Sequence, residues 1–283
     1  MARNRVNRST GGDVGIFIIL FIFGVLMVLP MFYAIITSLK PLDELWIFPP
    51  RFWVAKPTLK NFADLFSNLS NSWVPFSRYI FNTVFISVVG TFGHVIIASM
   101  AAYALSKKRF YGSKAIFKVI VTSLMFSGST AIPTFIIMSK LGFIDTYWSI
   151  ILPAFSSTLG LYLMKQHMES MVKDTIIEAA KIDGATPSQI LKNVTIPMVM
   201  PSITICSFLT LTNSFKLFDQ NLALTAGEPA NSSELLALNI FNTFYGRNGW
   251  EGVGQAKAVV FFVIVAVIAI TQNKITRSRE VQQ

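Results

Sequence analysis

Long apolar runs alternate with short polar segments along this chain. Six runs are long enough to cross a bilayer, at about 14–38, 79–105, 116–138, 146–165, 200–224 and 256–273. A spanning helix needs about 20 mostly apolar residues, because the hydrocarbon core is about 30 Å thick. The fourth run is interrupted by Pro153, Ser156, Ser157 and Thr158, breaks a buried helix tolerates when its neighbours satisfy the freed backbone groups. The first run follows Arg3, Arg5 and Arg8 and ends at Thr37-Ser38-Leu39-Lys40-Pro41. It exceeds the roughly 7–15 apolar residues of a cleavable signal and reads as an uncleaved spanning helix. The pattern predicts an all-α integral membrane protein with six transmembrane helices in one domain, residues 1–283.

Composition agrees. Hydrophobic residues make up 53% of the chain and charged ones 13%, against roughly 25% charged in soluble domains. The formal net charge of +10 raises the question of nucleic acid. The charges, however, cluster between apolar runs instead of forming a soluble basic face, which is the footprint of topology. Fifteen Lys and Arg fall in the N-tail, the loops after helices two and four, and the C-tail; eight fall in the opposite segments. Both termini are therefore expected in the cytoplasm. Cys206 is the single cysteine, and His94 and His167 are far apart. These residues predict neither a disulfide nor a metal site, and each histidine is expected to be structural. The outer segment from Lys40 to Arg78 carries five prolines with Trp46, Trp53 and Trp73. It suits an interfacial lid or the docking of an external partner.

The polar loop at about 166–199 has the most defined local grammar. Asp174, Glu178 and Lys181 share one face of a short helix, with Ile176, Ala179 and Ala180 opposite. Gly184 is placed to end that helix in the left-handed conformation. Thr186 and Gln189 make a capping box, with Pro187 at the first helical position. A second short helix is predicted with Ile190, Leu191 and Val194 on its apolar side, ended by Pro197 and Pro201. Two slim helices at a tight corner suit another protein's groove, with Glu178 offered to an Arg. The same features also fit an amphipathic loop resting on the membrane.

Glu178-Ala179-Ala180, Asp183-Gly184-Ala185, Ile196-Pro197 and Pro201 resemble the EAA signature of binding-protein-dependent ABC permeases. Ser38 to Pro41, Asn82-Thr83, Ala101 to Lys107, Asp145 to Trp148, Leu224 to Pro229 and Thr276 to Glu280 resemble the carbohydrate-uptake, maltose-type branch. The resemblance covers nearly the whole chain. Met171-Val172-Lys173 departs from it where relatives often carry Ile-Pro, and Glu228 replaces a common Gly. The resemblance implies a type I importer fold in the bacterial cytoplasmic membrane. Glu178, Ala179, Ala180, Asp183, Gly184 and Ala185 would then form the coupling helix that docks into a cytoplasmic ABC ATPase dimer. A second permease subunit in a heterodimer, an extracytoplasmic sugar-binding protein, a sugar substrate and membrane lipid are the implied partners. No Gly-x-x-x-x-Gly-Lys-Ser/Thr loop occurs in the sequence, so the expectation is a transport subunit without catalytic residues or a cofactor, its ATP hydrolysed by another chain.

Helix five carries Asn213, Lys216, Asp219 and Gln220 among Leu and Phe. Ionisable groups at membrane depth cost roughly 2.5–3.5 kcal/mol on insertion scales and usually face a cavity or a partner. On an unbroken helix Asn213, Lys216 and Gln220 share a face, and Asp219 is in reach of Lys216. The resemblance implies that this helix contributes amides to sugar contact. An interfacial Lys216–Asp219 pair is the alternative. Ser127, Ser129 and Thr130 are weaker pathway candidates, and Phe215 and Phe218 are expected to pack. A stand-alone secondary transporter or channel would carry discontinuous helices with mid-depth carboxylates; only Asp219 comes near. A membrane enzyme would need a cluster of reactive side chains, and none is visible in the sequence.

Overall fold

The computed structural model describes residues 10–67, 74–108, 110–126 and 131–278. Arg3, Arg5, Arg8, Trp73, Arg109, Ser127, Ser129, Thr130, Arg279 and Glu280 lie outside them. Regular structure among the described residues is helical. In chain order the helices are α1 (Thr10–Ser38), α2 (Leu42–Leu45), α3 (Lys60–Ser67), α4 (Phe76–Lys107), α5 (Ser113–Ser123) and α6 (Ala131–Lys140). They continue with α7 (Tyr147–Ala154), α8 (Thr158–Met171), α9 (Asp174–Ile182), α10 (Pro187–Ile190) and α11 (Ile196–Ser214). The last three are α12 (Phe218–Leu224), α13 (Leu236–Gly246) and α14 (Glu251–Arg277).

Among the described residues, five stretches are long and apolar enough to cross a membrane: Gly11–Ser38, Phe76–Lys107, Tyr147–Met171, Pro187–Ser214 and Glu251–Arg277. Of the predicted third span, 116–138, the described residues form α5, a tight turn at Leu124–Phe126, and α6, and residues 127–130 lie outside them. Its direction follows from its neighbours. His94 Nδ1 lies 3.1 Å from the Phe155 carbonyl, Ser99 Oγ lies 3.4 Å from Met164 Sδ, and Lys107 Nζ bonds the Val172 carbonyl. Residue numbers rise together, so α4 and α7–α8 run parallel. The chain between them must return to the side from which α4 started.

The chain divides into two compact units, residues 1–68 with 240–260, and 69–239 with 261–283. In the first, the apolar window of α1 buries nothing. The segment after it is held by its own buried contacts. Glu44 is buried, and its carboxylate accepts from Ala55 N at 2.7 Å and Lys56 N at 3.3 Å. Buried Lys40 donates to the Arg51 carbonyl and lies over the Tyr33 ring, while Phe52 and Trp53 meet edge to face. Lys257 is one of the eight charges counted in the opposite segments. It sits instead inside α14, 1% exposed, and donates to Thr243 Oγ1 at 2.6 Å. Gly254 lets the start of this helix close on α13: a Cβ there would stand 3.1 Å from Phe244 Cβ.

The second unit is built on α4, α8 and α11. Ala98, Ala102, Met164, Met168, Val172, Val199 and Cys206 form its buried cluster. Small residues let the backbones approach, as membrane helices require when lipid offers no hydrophobic drive to associate. A Cβ on Gly160 would meet His94 Nε2 at 2.3 Å and Cys206 Sγ at 2.6 Å, so the three helices converge at one glycine. His94 is buried in this packing, and His167 Nε2 lies 3.2 Å from the Met198 carbonyl. Both occupy structural positions. Lys165, one of the fifteen charges counted in the tails and the loops after helices two and four, is buried on α8; it pairs with Glu169 at 2.6 Å and sits 3.8 Å over the Phe117 ring. Carboxylate and ring together compensate a cation at that depth.

Candidate functional site

The corner between α8 and α11 is fixed at both ends and open in the middle. At its start Val172 is buried, and Lys107, from the last turn of α4, donates to the Val172 carbonyl and pairs with Asp174 at 2.9 Å. Asp174 occupies the first turn of α9, where the helix dipole favours a carboxylate. α9 then buries none of its residues. Glu178 and Ala179 are exposed, Ala180 is half-buried, and Ile182 is 86% exposed. Neither Glu178 nor Asp183 has a side-chain partner among the described residues.

The helix ends as its glycine demands. Ala185 N donates to Ala180 O and Gly184 N to Lys181 O, each at 3.0 Å, with Gly184 at φ +82°. This is the 6→1 and 5→2 pair of a Schellman cap. A Cβ at Gly184 would meet nothing within 4 Å, so conformation alone selects glycine there. The capping box follows: Thr186 N donates to Gln189 Oε1 at 2.8 Å, Gln189 N donates to Thr186 Oγ1 at 3.4 Å, and Pro187 opens α10. All six signature residues thus lie on or beside one exposed corner.

The expected stop at Pro197 and Pro201 does not occur. The chain runs helically from Pro187 to Ser214. Residues Leu191–Thr195 form a π turn in which Ile196 N donates to Leu191 O. Proline lacks an N–H and crowds the carbonyl four residues back; one wide turn just before Pro197 accommodates both problems without a break.

At the far end, helix five ends before the predicted limit of 224. It stops at Ser214, and Phe218 N donates back to Lys216 O at 2.8 Å around Leu217 at φ −73°, ψ 47°. This inverse γ-turn redirects the chain into α12, so the single helical wheel does not hold. Asn213, Lys216 and Asp219 are exposed, and Lys216 makes no ion pair with Asp219. Gln220 is half-buried, its Oε1 buried without a partner. Phe215 packs, 2% exposed, edge-on against Phe261.

The deepest polar residues nearby are two asparagines that were not singled out as candidates. Asn221 is fully buried; it donates to Thr225 Oγ1 at 2.7 Å and accepts from Leu235 N at 2.8 Å. Asn82 donates to the carbonyls of Ser232 and Glu234 at 2.7 and 3.0 Å, and the Tyr147 hydroxyl lies 2.8 Å from its Oδ1. Together they hold the 225–236 segment, whose turn puts Ala226, Gly227, Ala230 and Asn231 at positive φ. Asn82-Thr83 was visible as a motif, but its target is far away in the chain. Asn221 carried no signal beyond its place beside the polar cluster.

The inner membrane ABC transporter permease protein YcjP of Escherichia coli is 30% identical over 200 residues, 70% of each chain. This chain belongs to the ABC transporter permease family. The permease is also 43% identical over 138 residues to the probable starch degradation products transport system permease protein AmyD of Thermoanaerobacterium thermosulfurigenes. That match covers 48% of this chain, which thus spans about half the length of that relative, 47%. With the trehalose transport system permease protein SugB of Mycobacterium tuberculosis it is 25% identical over 250 residues, 87% of this chain and 88% of that one. Among solved structures, a chain of a bacterial ABC transporter that imports the acidic polysaccharide alginate superposes with a TM-score of 0.78. The superposition covers 95% of the permease and 99% of that chain at 22% identity, and establishes the importer-permease fold. No family model matches the chain.

Proposed function

We propose that this permease is a subunit of a binding-protein-dependent ABC importer and forms half of the translocation path for a sugar or oligosaccharide. It is a multi-pass protein of the cytoplasmic membrane. ATP is hydrolysed by a separate ATPase dimer docked at the α9 corner; a second permease completes the path, and an extracytoplasmic binding protein delivers the sugar. The charge asymmetry supports a cytoplasmic location for both termini.

The observation that carries this reading is the corner. α9 projects with no buried residue, yet Lys107 and the Schellman cap fix both its ends. A partner that pushes on Glu178, Ala179 or Ile182 moves a rigid piece. The piece continues into a helical rod of 28 residues, Pro187–Ser214, roughly 40 Å long at 1.5 Å per residue. Asn213 and Lys216 stand at the rod's other end, so motion at the ATPase reaches polar groups suited to sugar hydroxyls.

The test is reconstitution with the neighbouring ATPase, partner permease and binding protein in liposomes, followed by uptake of labelled oligosaccharides. ATP-dependent accumulation that requires the binding protein is expected. Sugar movement by this chain alone, without ATP, would instead establish a stand-alone transporter.

A further inference from the structure

The first unit contains a cavity of about 670 Å³, within the roughly 300–1,000 Å³ of small-molecule sites. It lies where the segment after α1 meets the start of α14, away from the polar residues of helix five in sequence and within its own unit. Its lining includes Trp46, Trp250, Asp43, Asp64, Asn61 and Lys60.

We propose that this cavity is an accessory binding site for a short neutral oligosaccharide. The proposal rests on the importer reading above and adds a site built from residues of the first unit. Sugars present hydroxyls around weakly apolar C–H faces, so acceptors beside flat aromatic rings recognise them. Trp46 is 67% exposed and makes no ring contact among the described residues. Arg247 sits 5.3 Å from the Trp250 ring centroid and restrains that ring. The carboxylates of Asp43 and Asp64 have no hydrogen bond or ion pair among the described residues. Lys60, one turn from Asp64 on α3, does not pair with it.

The acceptors are held in place. Buried Glu44, clamped by Ala55 N and Lys56 N, fixes α2 and with it Asp43 and Trp46. Asn61 Nδ2 donates to the carbonyls of Ser38 and Lys40, both at 2.8 Å, which commits its nitrogen and leaves Oδ1 to accept. A Cβ at Gly252 would stand 2.7 Å from that oxygen, so glycine is what lets α14 come up to Asn61. Two carboxylates against one ammonium leave a net negative lining that disfavours uronates.

The full-length chain in nanodiscs, without binding protein, ATPase or nucleotide, is titrated with maltotriose and with trigalacturonate while tryptophan fluorescence is followed. Saturable quenching by maltotriose and none by trigalacturonate is expected. Trp46→Ala should weaken binding at least about tenfold, as removal of an aromatic anchor does. Gly252→Ala should weaken it with every polar group retained. Asp64→Asn, isosteric and at a half-buried position without a side-chain partner among the described residues, should admit trigalacturonate. Absence of maltotriose binding in a chain that still supports ATP-driven uptake in the assembled complex overturns the site and leaves the importer reading intact. Loss of uptake with binding preserved does the reverse. Binding unchanged in both Trp46→Ala and Asp64→Asn places the sugar elsewhere and overturns the site.

Discussion

Replacing Lys107 with Met keeps the length and apolar stem of the side chain but removes its ammonium. Two interactions disappear: the bond to the Val172 carbonyl and the ion pair with Asp174. They are unequal. The Asp174 side chain is 75% exposed, and pairs of that kind contribute about 0–1 kcal/mol. The Val172 contact joins a lysine with 8% exposure to the backbone of a fully buried residue, and hydrogen bonds from charged groups contribute about 1.5–3 kcal/mol. Lys107→Met should therefore destabilise the α8–α9 junction by about 2–3 kcal/mol, and Asp174→Asn by no more than about 1 kcal/mol. Hydrogen exchange of the 172–182 amides in nanodiscs reads the junction directly, and ATPase stimulation by loaded binding protein reads the coupling. Lys107→Met should speed exchange roughly 30-fold or more and lower stimulation; Asp174→Asn should change both little. Equal effects of the two variants would show that the ion pair, not the carbonyl contact, fixes the corner.

Gly184→Val meets no atoms but must hold φ near +82°, at a cost of about 1–2 kcal/mol; uptake should fall, Gly184→Asn should fall less, and wild-type uptake in the Val variant would sink the corner's role. Glu178→Lys should leave the protein inserted and abolish ATPase stimulation, measured on purified complex. Lys216→Met should lower initial uptake rates normalised to assembled complex. Because Lys216 does not pair with Asp219, adding Asp219→Asn should not restore uptake, and recovery in the double variant would reveal a pair formed during transport. Cysteines at Ser113 and Asn231 should be labelled from opposite sides of intact vesicles, and labelling of both from one side would refute the topology.

Much of the corner was legible because its physics is local. A left-handed glycine, a capping box and an N1 proline each act within four residues, and all three took their expected form. The prolines at 197 and 201 misled for the opposite reason. Whether proline ends a helix or is absorbed depends on whether the turn before it can widen, and that turn is set by packing of Val199 and Thr195 against the core. The break at Ser214–Leu217 had no glycine or proline to announce it. Lys165 and Lys257 were read as loop charges because windows of apolarity do not register a ring or a hydroxyl waiting across the fold. Asn82 and Asn221 escaped notice as anchors since their carbonyl partners are 12 to 152 residues away.

The bare perimeter of α1 has a consequence for how this protein is made. A helix that needs no intramolecular neighbour along its apolar window can leave the translocon for lipid as soon as it emerges, ahead of the rest of the chain. α4 cannot, since Asn82, Thr83 and His94 would meet hydrocarbon before the segments that cover them had been synthesised. Biogenesis should therefore be staged. α1 anchors the nascent chain early, while α4 is retained beside the insertion machinery until α7, α8, α11 and the 232–236 segment arrive to enclose its polar face.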